Sequence, residues 1–157
     1  MRPGVRLGVD VGSVRVGVAS SDPDGVLASP LATIRRGRDD LSQIGRLAAS
    51  RQAMEIVVGL PIGLSGNIGV AAELVREYAI NLARAVAPVP VRLVDERFTT
   101  VLAHAALAEQ GRDSRRRRAV IDQAAAATLL QGALDAERQT GQPPGELVGG
   151  DAWAGGR

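Results

Sequence analysis

Residues Glu55 to Gly59 (E-I-V-V-G) form a continuously apolar run, too short for a helix and unbroken by the alternation of a half-exposed strand. That pattern is the mark of a parallel strand covered on both faces. Val91 to Asp95 (V-R-L-V-D) is a second buried strand, and between the two lies a helix over Val70 to Val86, stopped by Pro88 and Pro90. Two such strands joined through a helix need layers on both sides of one sheet, which fixes the class as α/β.

The rest of the chain adds to that sheet. Val5 to Asp10 reads as a β-branched strand ending on a carboxylate, Gly12-Ser13 as a turn, and Arg15 to Ser20 as the return strand of a hairpin. Gly12 and Gly17 suit a tight turn and a close approach. Asp22-Pro23-Asp24-Gly25 is a further turn, and Val26 to Ile34 supplies a third strand, which Pro30 marks as an edge or a bulged one. Asp39-Asp40 opens a helix with Leu41, Ile44, Leu47 and Ala48 at the spacing of one buried face. Leu60 to Gly69 is a glycine-rich loop. Thr99 or Thr100 caps a helix to about Gln110, and Ser114 caps a long one to about Gln139. The expectation is one domain over residues 1–139, built on a single five-stranded mixed sheet flanked by helices, and a disordered glycine- and proline-rich tail over 140–157.

Composition narrows the setting. No apolar run approaches the roughly 20 residues that span a bilayer, and Met1 to Val5 lacks the pattern of a secretory signal. The absence of cysteine removes disulfides and thiolate metal sites. A cytoplasmic protein without membrane attachment is expected. The net charge is only +2 and all 19 basic residues are arginine, so the placement of the arginines matters more than the overall field. They are densest at Arg115 to Arg118. Tyr78, Phe98 and Trp153 are the only aromatics, which disfavours binding through stacked bases and favours contacts to phosphates and duplex shape.

Three carboxylates stand where chemistry is expected. Asp10 and Glu96 sit at the C-terminal ends of central strands, the edge at which α/β sheets bind ligands. Asp122 lies in an otherwise apolar stretch of the last helix, between Ile121 and Ala124, where an ionised carboxylate needs compensation. Brought together, the three would raise one another's pKa unless a divalent cation neutralised them, and hard oxygen ligands suit Mg²⁺ or Mn²⁺. Two such ions about 4 Å apart, with Asp10 bridging and Glu96 and Asp122 each holding one, support in-line hydrolysis of a phosphodiester.

The stretch G-V-D-V-G-S-V-R-V-G-V-A from Gly8, G-L-P-I-G from Gly59, D-E-R at Asp95 to Arg97 with Thr99-Thr100, and V-I-D-Q-A-A-A from Val120 occur in this order. Together they resemble the YqgF/RuvX family of RuvC-like nucleases over roughly Val5 to Ala136. The resemblance implies a ribonuclease H-like fold with Asp10, Glu96 and Asp122 as catalytic and metal-holding residues. It also implies a role in maturing the 5′ end of pre-16S ribosomal RNA, or, as for some members, resolution of Holliday junctions. The chain departs from the family pattern at Gly63 and Ser65, where Asn and Asp are common, and at Arg115 to Arg118, where lysines often stand.

Arg15, Arg97, Arg115 and Arg118 are the candidates for substrate phosphates. Cations in the first turn of a helix oppose its dipole, which makes sense if phosphates arrive there. His104 is read as a plain helix residue and Trp153 as incidental or partner-contacting. The partner expected is nucleic acid, structured RNA before branched DNA, with the chain a monomer or a homodimer; junction resolution would require the dimer. The D-V-G-S-V-R-V-G turn also resembles the first phosphate loop of actin-like ATPases, but the length leaves no room for their second domain. A non-catalytic RNA-binding assembly factor is the remaining alternative, against which the intact carboxylate triple speaks.

Overall fold

The computed structural model describes residues 1–61, 69–96 and 114–148, the side chains of 114–117 excepted. Its strands are β1 (Arg6–Val11), β2 (Arg15–Ser21), β3 (Ala28–Arg35), β4 (Glu55–Leu60), β5 (Val91–Asp95) and β6 (Glu146–Leu147). Its helices are α1 (Asp40–Ser50), α2 (Val70–Val86) and α3 (Ser114–Thr140). One sheet runs in the order β3-β2-β1-β4-β5-β6. β1, β2 and β3 form an antiparallel meander, β1, β4 and β5 are parallel, and β6 returns antiparallel on β5.

The alternation of side chains along each strand divides the core in two. Leu7, Val9, Val16, Val18, Ile56, Val58, Val91 and Leu93 meet Ile44, Ala48, Ala79 and Leu82 of α1 and α2 on one face. Ala19 and Val57 meet Ala126, Leu130, Ala133 and Leu134 of α3 on the other. On that second face the sheet is kept low. A Cβ on Gly8 would stand 2.7 Å from the Cβ of Leu130, and one on Gly17 would overlap the backbone carbonyl of Asp122. Glycine at these positions lets α3 lie almost on the strand backbones.

Pro30 lies on β3, the edge strand, opposite Ala19, next to the point where the register slips between Val18 and Ala19. Edge position and irregularity are both present, as a proline in a strand requires.

One expectation needs correction: among the described residues the sheet has six strands rather than five, because the chain beyond Thr140 continues into β6 and Val148. Gly141 and Gly145 take positive φ (73° and 62°), which turns the chain back so that β6 covers the edge of β5. Val148 then donates its N–H to the Val91 carbonyl and enters the core. Gly141 and Gly145 there serve the turn. Residues 149–157 with Trp153, the segment 97–113 with its expected helix and His104, and 62–68 with Gly63 and Ser65 lie outside the described residues.

The far end of α3 is fastened by charge. Arg2 donates to Glu137 (2.7 Å) and Glu55 (2.9 Å), Arg92 donates to Glu55 (2.7 Å), and Arg6 stands 3.5 Å from Glu137. Arg6, Glu55 and Glu137 are 1%, 1% and 4% exposed, so these three are desolvated and depend on their partners in the network. Among the described residues no helix is long and apolar enough to cross a membrane.

Candidate active site

β1 and β5 end at the same edge of the sheet, and the side chains at their ends face α3. Asp10 follows Gly8 by two residues and so shares its face; it pairs in register with Gly17 of β2. Glu96 follows Asp95, the last residue of β5, and its N–H donates to the Leu60 carbonyl at 3.3 Å, which continues the β4–β5 ladder by one step. Gly59 makes room for it: a Cβ there would lie 2.8 Å from Oε2 of Glu96.

The two carboxyl groups meet. Burial pushes the Glu96 pKa up from 4.5 to about 8, helped by the negative charge of Asp10, a hydrogen bond between the two side chains, and the charge of Asp95. Glu96 thus holds its proton more tightly than an ordinary carboxyl, across a hydrogen bond with Asp10. A half-buried carboxyl pair sharing one proton is the arrangement a hard divalent cation displaces, because the cation supplies the compensation the proton gives.

Asp122 sits one strand away. The tight seat of α3 on Gly17 places its backbone directly over the cross-strand partner of Asp10. Its carboxylate, 21% exposed, accepts a hydrogen bond from Arg15 Nε at 2.8 Å. The compensation that an aspartate on an apolar helix demands is thus provided here by a guanidinium. Among the described residues no three carboxylate or imidazole groups stand together as a set able to hold a metal ion. Asp10 and Glu96 are brought into contact, while the Asp122 carboxylate is engaged by Arg15 over the neighbouring strand.

Of the phosphate candidates, Arg15 lines the site and is 30% exposed, and Arg118 is exposed one turn before Asp122. Arg115 lies in the first turn of α3, where side chains are outside the described residues, as is Arg97 altogether. Sequence reasoning missed Gly59 and Asp95 as shapers of the Glu96 environment. The signal for Gly59 was a glycine one position before the end of a strand adjacent to Glu96, legible only once β4 and β5 are known to be neighbours.

Comparison with known proteins matches this chain, over residues 4–136, to the model of a family described as "RuvX: Holliday junction resolvase". A protein of Nocardioides sp. named "Putative pre-16S rRNA nuclease" is 59% identical over 153 residues, covering 94% of this chain and 98% of its own. One of the same name from Thermobifida fusca is 57% identical over 157 residues, covering 96% and 99%. Among solved structures, T. thermophilus RuvC in complex with a Holliday junction substrate superposes with a TM-score of 0.54 at 14% identity, covering 87% of this chain and 97% of its own. The mixed sheet flanked by helices is a ribonuclease H-like fold.

Proposed function

The chain belongs to the RuvX family and is a nuclease acting on phosphodiester bonds, and from that premise we propose that it matures the 5′ end of precursor 16S ribosomal RNA in the cytoplasm. The observation that carries the reading is the Asp10–Glu96 carboxyl pair at the strand ends, with Asp122 one strand away. The names of the relatives support the RNA substrate over a DNA junction.

The donor set fits a hard cation: carboxylate oxygens only, two of them already sharing a proton. Mg²⁺ or Mn²⁺ held by Asp10, Glu96 and Asp122 would supply the charge that acidifies an attacking water and stabilises the leaving oxygen. The protein's part is positional. Asp10 and Glu96 are fixed by strand ends, Asp122 by the seat of α3 on Gly17. Arg15 holds Asp122 in the metal-free protein and is placed to turn to a substrate phosphate once Asp122 has another cation beside it. Glu96 must give up its proton for such binding, so divalent affinity rises with pH towards about 8.

Asp10→Asn keeps the shape and removes the charge. Cleavage of a precursor transcript with Mn²⁺ should fall by orders of magnitude while filter binding of the same RNA persists. Full activity in this variant would end the carboxylate mechanism, and faster cutting of a four-way DNA junction than of the transcript would reassign the substrate.

A further inference from the structure

We propose that Arg35, which terminates β3, binds a backbone phosphate of the nucleic-acid strand beside the scissile one. The inference rests on the nuclease reading above and extends it to a residue outside the carboxylate site.

Ile34 is buried in the core under α1 and α2, so its neighbour Arg35 emerges on the opposite face, the one that carries α3. Thr33, on the other side of Ile34, confirms the facing: its hydroxyl donates to the Ala119 carbonyl of α3 at 2.9 Å. In the β2–β3 register Arg35 is the direct partner of Arg15, which shares a face with Gly17 beneath Asp122. Two guanidinium groups opposite each other on one face repel. The carboxylate beside them, Asp122, is engaged by Arg15.

Arg35 is exposed and, among the described residues, has no carboxylate partner. Its neighbour Arg36 is held firmly. Arg36 donates to the Gly12 carbonyl at 3.1 Å, lies 4.9 Å over the Tyr78 ring and stands 3.9 Å from Asp40. These contacts use up Asp40 and tie the end of β3 to the turn that follows Asp10; Asp39 is exposed at the N-terminus of α1 and makes no side-chain capping bond. The backbone carrying Arg35 is thus anchored to the active-site edge while its side chain stays uncommitted.

Two strand spacings separate β3 from β1, roughly 10 Å, which places Arg35 within reach of phosphates adjoining the one cut at Asp10. Arg118, exposed near the start of α3, lies at the same end of the sheet. A like-charge pair at an exposed strand end is a poor structural choice and a good seat for a polyanion.

The test is fluorescence-anisotropy titration of a single-stranded RNA oligonucleotide in EDTA over a salt series. The proteins compared are the wild type, Arg35→Ala, Arg35→Lys and Arg51→Ala. Arg51 is exposed at the end of α1, beside Ser20 and Ser21, at the opposite end of the sheet. Arg35→Ala should weaken binding about tenfold at low salt and lower the slope of log K against log salt by about 0.7, one phosphate contact on a single strand. Arg35→Lys should restore the slope, and Arg51→Ala should match the wild type. An unchanged slope in Arg35→Ala, or an equal drop in Arg51→Ala, overturns the assignment. If the wild type cuts the transcript in an Asp10-dependent way and Arg35→Ala binds normally, only this inference falls. If the wild type binds no RNA, the precursor-RNA reading falls with it.

Discussion

Replacing Gly17 with alanine tests whether the seat of α3 on the sheet sets the site. A Cβ at this position would overlap the carbonyl oxygen of Asp122 and come within 3.1 Å of its Cα. Both obstructing atoms are backbone, so no rotamer change relieves them, and the helix must lift by about an ångström to restore contact distance. Overpacking of this kind costs about 1–3 kcal/mol. Misplacing a catalytic group by about 1 Å costs roughly a hundredfold in rate, so activity should suffer far more than folding. Gly132 gives a control of opposite sign on the same helix: it is exposed, a Cβ there meets nothing within 4 Å, and alanine should stabilise by about 0.5–1 kcal/mol. Urea unfolding with an unchanged m-value reads the stability of each, and transcript cleavage under conditions where both are folded reads the site. A Gly17→Ala protein as stable and as active as Gly132→Ala would refute the claim that the glycine positions Asp122.

The raised pKa of Glu96 makes a pH prediction. Its folded value of about 8 lies above the ordinary 4.5, so its contribution to stability is fully present below about pH 4.5 and is lost as pH rises to about 8. The thermal midpoint of the metal-free protein should therefore decline across that window, and Glu96→Gln, which mimics the protonated form, should remove this part of the decline; an identical profile in the variant would disprove the assignment. Glu137→Ala leaves Arg2 and the 1%-exposed Arg6 short of their counter-charge and should destabilise by about 3–5 kcal/mol in urea unfolding. A loss under about 1 kcal/mol would mean the network is not coupled as its geometry indicates.

Local pattern carried most of the fold. Unbroken apolar runs identified β4, and the D-V-G-S turn between β-branched stretches identified the β1–β2 hairpin, whose register pairs Asp10 with Gly17. β6 was hidden because a two-residue strand has no period of its own; it exists only because β5 offers an edge and Gly145 permits the turn. For the candidate site, strand ends pointed to Asp10 and Glu96, and an acidic residue within an apolar helix pointed to Asp122. Their electrostatics were not legible. The partner of Asp122 is 107 residues away in sequence, and the ties among Arg2, Glu55, Arg92 and Glu137 arise only from strand order. Arg35 was passed over for the same reason, since its facing depends on the β2–β3 register.

The two ends of α3 have opposite electrostatic character, and the contrast explains how a destabilising site is kept. At the Arg2–Glu137 end, two buried glutamates are engaged by three arginines, with hydrogen bonds at 2.7–2.9 Å that hold only if the helix keeps its place along the sheet. At the Asp122 end, two carboxyls share a proton and one arginine faces another across strands. Both of those contacts lie within the sheet, and α3 itself is held at this end by the Arg15–Asp122 ion pair and the Thr33–Ala119 hydrogen bond. The Arg2–Glu137 network, together with the apolar contacts of Ala126, Leu130 and Leu134, completes the seat of α3 along the sheet. The strain then stays local, available for release when a cation and a phosphate chain supply the missing charges.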